Sequence, residues 1–506
     1  MLCRPLPILA AAELYMTNQL LIQYFHWYYN EDQRLWIKVK DQANYLSTLG
    51  VTLAWLPPAF KSTEGNTSVG YDCYDLYDLG EFDQKNSVET KYGSKDDYVA
   101  AIEALRSHHI GAVADVIFNH KAGADELEHV PVKRVDEGNR HEFVSDVFEI
   151  DAWTKFTFPG RQGKYSEFIW DFHCFSGIDR AEDLDESGIF SIQNQYGEAW
   201  EEVPSKEMGN YDYLMFNDIE TRNPAVREEL KRWGEWYYRT CGMDGFRLDA
   251  VKHVSTSFVN EWIDHMKGGF ERDFFIVAEN WVVGDASELQ QYVADTEGRV
   301  QLFDSVLHHH LFLASRQGAD YDLSQLFAGT LTQAHPELSV TFVDNHDSQP
   351  LEALESYVDF WFRPLAYALI LLREQGIPCL FYPDLYGCKY QQEGTDVQIE
   401  LVAVPQLPQL CEIRRDRSYG FQRDYFDHPN CIGWTREGAE DKENSGLAVV
   451  MSNGEAGNKH MEIGVRHAGK TFMDALGGIT EEVVIDENGW AEFYCPAGAV
   501  SVWILK

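Results

Sequence analysis

Gly242-Met243-Asp244-Gly245-Phe246-Arg247-Leu248-Asp249-Ala250-Val251-Lys252-His253 is the stretch whose reading decides the fold. Its centre reads as a short buried β-strand. In a strand, residues two apart point to the same side. Arg247 and Asp249 therefore project together, and Phe246 and Leu248 pack the other way. A cation beside an aspartate holds the carboxylate ionised. An ionised carboxylate at the C-terminal end of a strand, just before a loop, is a candidate nucleophile. A structural Arg–Asp pair would explain this segment by itself. Three further segments argue against that.

Ala112-Val113-Ala114-Asp115-Val116-Ile117-Phe118-Asn119-His120, Phe274-Phe275-Ile276-Val277-Ala278-Glu279-Asn280-Trp281 and Ser339-Val340-Thr341-Phe342-Val343-Asp344-Asn345-His346-Asp347 are short apolar runs that end in polar residues. Such runs are what fully buried parallel strands look like. Asp249 and Glu279 are 30 residues apart, the length of one strand-helix repeat, and Glu279 and Asp347 are 68 apart, about two. Three carboxylates would thus reach one rim from separate strands, which is how a (β/α)8 barrel assembles an active site.

These four segments match, in order, spacing and content, the sequence regions of the α-amylase family of glycoside hydrolases, which the chain resembles from about residue 17 to 506. The likeness continues through Gln23-Tyr24-Phe25-His26-Trp27-Tyr28, Val69-Gly70-Tyr71-Asp72, Asn210-Tyr211-Asp212 and Tyr425-Phe426-Asp427-His428, and is strongest to the cytoplasmic and liquefying bacterial members. The resemblance implies an α/β fold, a (β/α)8 TIM barrel with a B domain inserted after the third strand and a C-terminal antiparallel β-sandwich. The boundaries it suggests are an extension over 1–16, barrel over 17–120 and 213–418, B domain over 121–212, and sandwich over 419–506.

The activity implied is endo-hydrolysis of α-1,4-glucosidic bonds in starch, glycogen or maltodextrins. A maltooligosaccharide-forming amylase or a transglycosylase is the alternative. A barrel that only binds is disfavoured, because Asp249, Glu279 and Asp347 are all present. A retaining mechanism needs two carboxyl groups about 5–5.5 Å apart in different protonation states. Asp249 suits the nucleophile, since Arg247 holds it ionised. Glu279 suits the general acid, since an apolar strand raises its pKa. By resemblance, Asp347 binds sugar hydroxyls and helps distort the ring, His120 and His346 donate hydrogen bonds to the same sugar, and Tyr71 stacks beneath it. Lys252 and His253 fall on the leaving-group side, and Trp27 and Trp281 are platforms at outer subsites.

The family likeness also implies one structural Ca²⁺, held by Asn119, Asp212, Asp218 and the His253 carbonyl, with Asp179 nearby. Such oxygen donors suit the ion. The liquefying enzymes hold further ions beside it. Here Glu201 and Glu220 replace aspartates and Arg222 stands at an acidic position, so a second calcium is not expected. Arg222 would fill that space and pair with Asp179 or Glu201. His308-His309-His310 is not read as a metal site, because three consecutive side chains cannot face one ion.

Composition excludes other classes. The net charge of −40, from 82 acidic and 42 basic residues spread along the chain, argues against nucleic acid and anionic membranes as partners. Aromatics make up 14% of residues, as suits a cleft that stacks on sugar rings. Nine scattered cysteines (Cys3, Cys73, Cys174, Cys241, Cys379, Cys388, Cys411, Cys431 and Cys495) form no C-x-x-C pair. They read as reduced thiols of a cytoplasmic protein. Leu6–Ala12 is a short apolar stretch after one arginine, so secretion is the alternative. A monomer acting on a glucan is expected.

Overall fold

The computed structural model describes residues 18–31, 34–196, 200–392 and 394–506. The expected extension over 1–16, Cys3 and Ala199 lie outside the described residues. Eight parallel strands close a barrel: β1 Leu21–Gln23, β2 Leu53–Leu56, β3 Gly111–Val116, β4 Gly245–Leu248, β5 Phe275–Ala278, β6 Gln301–Phe303, β7 Ser339–Phe342 and β8 Ile377–Phe381. Closure comes from β1, where Leu21 is in register with Leu53 on one side and Cys379 on the other.

The alternation expected of β4 decides which side chains reach the barrel axis. Phe246 points outward, its ring 5.1 Å from Trp262 of the helix Thr256–Phe270. Arg247 points inward, 4.9 Å from the Trp55 ring of β2. Gly242 and Gly245 frame the strand for different reasons. Gly242 ends the helix Pro224–Cys241 at φ 72°, and its N–H bonds the Tyr238 carbonyl at 2.7 Å. That left-handed turn favours glycine. A Cβ on Gly245 would lie 2.4 Å from the Phe275 carbonyl of β5, so only glycine lets these strands pair here.

Between β3 and β4 the chain forms a six-stranded antiparallel sheet, in the order His120–Lys121, Asn217–Ile219, Phe175–Ala181, Glu186–Ile192, Glu126–Arg134, Phe148–Lys155. Its first strand follows β3 directly, which carries the sheet up one wall of the barrel mouth. After the helix Leu407–Arg417 come two antiparallel sheets, one of six strands from Gln422–Tyr425 to Val500–Leu505 and one pairing Gly457–Glu462 with Trp490–Cys495. Their facing sides bury Val450, Met461, Phe472, Phe493 and Trp503.

Candidate active site

The strands β3, β4 and β5 set the site through register. Arg247 on β4 is level with Asp115 on β3 and Val277 on β5. Its guanidinium therefore reaches three carboxylates. Nη1 donates to Asp115 Oδ1 at 2.8 Å and to Asp249 Oδ1 at 2.5 Å, and Nη2 donates to Glu279 Oε2 at 2.5 Å. Asp115 is fully buried and also accepts from Trp55 Nε1 at 2.9 Å and the Tyr71 hydroxyl at 2.8 Å. Sequence reading left Asp115 without a role. The signal was present, since a lone charge in an otherwise apolar strand requires a partner.

Above this group opens a cavity of about 510 Å³. Asp249, Glu279, Asp347, Tyr71, His120, Lys252, His253, His346, Trp27 and Trp281 all line it; of the residues singled out for catalysis and sugar binding, only Arg247 lies beneath. Tyr71, Trp27 and His346 stack on one another. Tyr71 is 5.1 Å from His346 and 5.5 Å from Trp27, with the rings within 15° of parallel. Trp27 is thus part of the central stack rather than a separate outer platform. Trp281 packs against His308 at 5.5 Å with the rings tilted by 59°. Lys252 Nζ is fixed by Glu207 and the Trp281 carbonyl, both at 3.2 Å. Glu207 and Glu352 also line the cavity and were not anticipated. Glu352 has a buried, unpartnered Oε1.

The electrostatics differ from expectation. One guanidinium is shared by three carboxylates, with Asp347 close by, and burial outweighs it. Burial pushes the Asp249 carboxyl up to about 8; Arg247 draws it down, and the Glu279 and Asp115 charges add to the rise. Burial and the neighbouring Glu279 charge hold Asp347 well above the usual carboxylate range. So Arg247 alone does not keep Asp249 ionised as the sequence implied. Asp249 and Asp347 are both shifted upward, and because they interact their titrations belong to the pair rather than to either residue. Glu279 is not in apolar surroundings either, because its carboxylate is paired with Arg247.

Both nitrogens of His120 are engaged within the protein, Nε2 with the Tyr71 carbonyl at 2.8 Å and Nδ1 with Asn119 Oδ1 at 3.1 Å. Burial lowers its pKa to about 4, so it is neutral. His253 is likewise buried and neutral, its pKa lowered to about 4, with Nδ1 against the Tyr211 carbonyl.

Asn119, Asp212, Asp218 and the His253 carbonyl lie at the base of the inserted sheet. Asn119 Nδ2 donates to Asp218 Oδ1 at 3.2 Å and to the His253 carbonyl at 3.0 Å. Burial, the Asp218 charge and Glu201 push Asp212 well above the carboxylate range; burial likewise raises Asp218. Asp179 is not drawn in. Its Oδ2 accepts the Phe216 N–H at 3.2 Å. Arg222 pairs with neither Asp179 nor Glu201. It grips Glu220 in a two-point contact, at 2.8 and 2.6 Å. Glu220 is only two residues away and has no solvent access. Among the described residues no three His, Cys, Asp or Glu side chains gather as metal ligands. The triple histidine disperses, with His308 on the Val343 carbonyl and His310 on that of Leu326.

A closed parallel barrel with paired carboxylates at the C-terminal ends of β4 and β5 defines a glycoside-hydrolase class of site. A family model described as alpha amylase, catalytic domain, matches residues 36–404, and one described as alpha-amylase C-terminal matches residues 447–504. The chain belongs to the α-amylase family. It is 49% identical over 495 residues to the cytoplasmic alpha-amylase of Escherichia coli K12, covering 97% of this chain and 99% of that one. It is 44% identical over 498 residues to the alpha-amylase of Bacillus licheniformis, covering 98% and 95%. The solved α-amylase of Geobacillus thermoleovorans, complexed with acarbose, shares the fold at a TM-score of 0.63 and 17% identity, over 97% of this chain and 98% of that one.

Proposed function

We propose that the protein hydrolyses internal α-1,4-glucosidic bonds of starch, glycogen and maltodextrins with retention of configuration. The observation that carries this is the Arg247 guanidinium, which holds Asp249 and Glu279 at the floor of one cavity lined by aromatic rings. Asp249 attacks the anomeric carbon in its ionised form, which the Arg247 guanidinium favours against burial. Glu279 gives its proton to the departing glycosidic oxygen and later takes one from water. Asp347 and His346 hold hydroxyls of the sugar being cleaved, and the Tyr71–Trp27 stack presents an apolar face to it.

The candidate ion site suits Ca²⁺. A neutral His120 that donates Nε2–H to Tyr71 leaves Nδ1 as an acceptor, which calls for the amide nitrogen of Asn119. Turning the amide over meets that need and brings Oδ1 towards Asp218 and the His253 carbonyl. Oxygens facing each other beside a buried Asp212 require a cation. Bound there, Ca²⁺ would supply the missing positive charge and tie the inserted sheet to the barrel. Eight free thiols among the described residues, and a relative named as cytoplasmic, support placing the enzyme in the cytoplasm.

Asp249→Asn and Glu279→Gln should each lower kcat on a chromogenic maltooligosaccharide by about 10³-fold or more, with near-native circular dichroism. Products should appear first as the α-anomer. An initial β-anomer, near-normal activity of either variant, or lengthened and cyclic glucans from the parent enzyme would each overturn this reading.

A further inference from the structure

Two thiols in the C-terminal sheets meet across the sandwich. Cys431 opens the strand Cys431–Arg436 of the six-stranded sheet, and Cys495 closes the strand Trp490–Cys495 of the two-stranded one. Both belong to the core between the sheets. Cys495 pairs in register with Gly457. The space that a side chain on Gly457 would occupy is taken by sulfur. A Cβ there would lie 2.5 Å from Cys431 Sγ and 3.6 Å from Cys495 Sγ. The sulfurs thus converge on one point from opposite sheets, and the thiols hydrogen-bond to each other.

The pair is asymmetric. Cys431 lines a surface cavity of about 430 Å³ together with His428, Asn458 and Lys459. Its Sγ lies 3.8 Å from the Asn458 carbonyl. Cys495 is 1% exposed. The hydrogen bond from Cys495, aided by the Lys459 charge and opposed by burial and Asp427, draws the Cys431 thiol down to about 7. The same contact and burial push Cys495 up. A thiolate is the reactive form of cysteine, and the sulfur that borders the surface cavity is also the one whose thiol is drawn down.

We propose that Cys431 and Cys495 form a peroxide-oxidisable pair that closes to a disulfide between the two sheets. The Cys431 thiolate attacks one oxygen of a hydroperoxide. An S–O bond forms, the O–O bond breaks, and the released hydroxide or alkoxide takes up a proton. Cys495 then attacks the sulfur of the Cys431 sulfenic acid. The S–S bond forms, the S–O bond breaks, and water leaves carrying the Cys495 proton. Together the two thiols lose two electrons, and the hydroperoxide is reduced to water, with an alcohol if it is organic.

The test is peptide mapping of the full-length protein after brief hydrogen peroxide treatment and alkylation. The expected result is a peptide linking Cys431 to Cys495, a loss of two of the nine titratable thiols, and reversal by dithiothreitol. Cys495→Ser should trap a dimedone-reactive sulfenic acid at Cys431, and Cys431→Ser should give none at Cys495. Gly457→Ala keeps both sulfurs but puts a methyl group between them, and should slow bridging by about tenfold or more, because a disulfide tolerates little change in geometry. Oxidation of Cys431 to sulfinic acid while Cys495 stays alkylatable, bridging to other cysteines in equal yield, or unimpaired bridging in Gly457→Ala would overturn the proposal.

Discussion

Asp115 and Arg247 meet at 2.8 Å beneath the cleft, both shielded from solvent, on neighbouring strands in direct register. Through Arg247 this pair is hydrogen-bonded to both Asp249 and Glu279. Asp115→Asn keeps the shape and removes a charge that raises the Asp249 pKa. The variant should lose about 10²-fold in kcat with a smaller change in KM, because a misplaced reacting group costs rate more than binding. The pH–rate profile should also move towards lower pH. A profile that keeps its position would assign Asp115 a purely structural role.

A second expectation concerns pH and stability. Asp249 titrates near 3.8 when exposed and near 8 in the fold. Between those values the folded protein holds a proton that the unfolded chain has lost. Folding stability is therefore penalised increasingly as pH rises from about 4 to 8, and the penalty is constant above that. Asp249→Asn removes it. The inactive variant should melt higher than the parent, with a larger gain at pH 8 than at pH 5, each kcal/mol released being worth roughly 2–4 °C or less in a chain of this size. Equal gains at both pH values, by calorimetry, would contradict the sign of this shift.

Metal dependence should be single and structural. Calorimetric titration of chelator-treated protein should give one tight calcium per chain. Saturation to about 100 times Kd should stabilise by about 2.7 kcal/mol. Asp218→Asn should abolish most of that gain while leaving a folded protein. Two tight sites would refute the assignment.

Arg222 is the cation that takes part of the load in this region. It pairs with Glu220 beside Glu201, Asp212 and Asp218. Removing one partner of a buried pair costs about 3–5 kcal/mol. Because Arg222 is a quarter exposed, Arg222→Ala should cost less than that. It should also make the protein more sensitive to chelators, measured as a wider gap in Tm with and without calcium. An unchanged gap would show that Arg222 and the ion act independently.

The barrel and its three strand-end carboxylates were legible because chemistry at strand ends imposes fixed residue types on an apolar background, and the other cleft residues were legible through the family likeness. The period-two alternation around Arg247 told which side chains share a face. What the local pattern could not show was register between distant strands. Only the alignment of β3 with β4 reveals that Asp115 competes for the same guanidinium, and hence that Asp249 is not held ionised by Arg247 alone. For Arg222, the likeness to the liquefying members favoured Asp179 or Glu201, and the nearer Glu220 won. His120 looked free for substrate because nothing in sequence shows that Tyr71 and Asn119 occupy both its nitrogens.

The barrel closes between its first and last strands, with Leu21 beside Cys379. At a synthesis rate of about 5–20 residues per second, β1 waits on the order of tens of seconds for β8 to emerge. Until then the edges of β1 and of the growing sheet are open to mispairing. The nascent chain is therefore most vulnerable to aggregation before its active site exists, and the last strand to appear is the one that makes the cleft floor continuous.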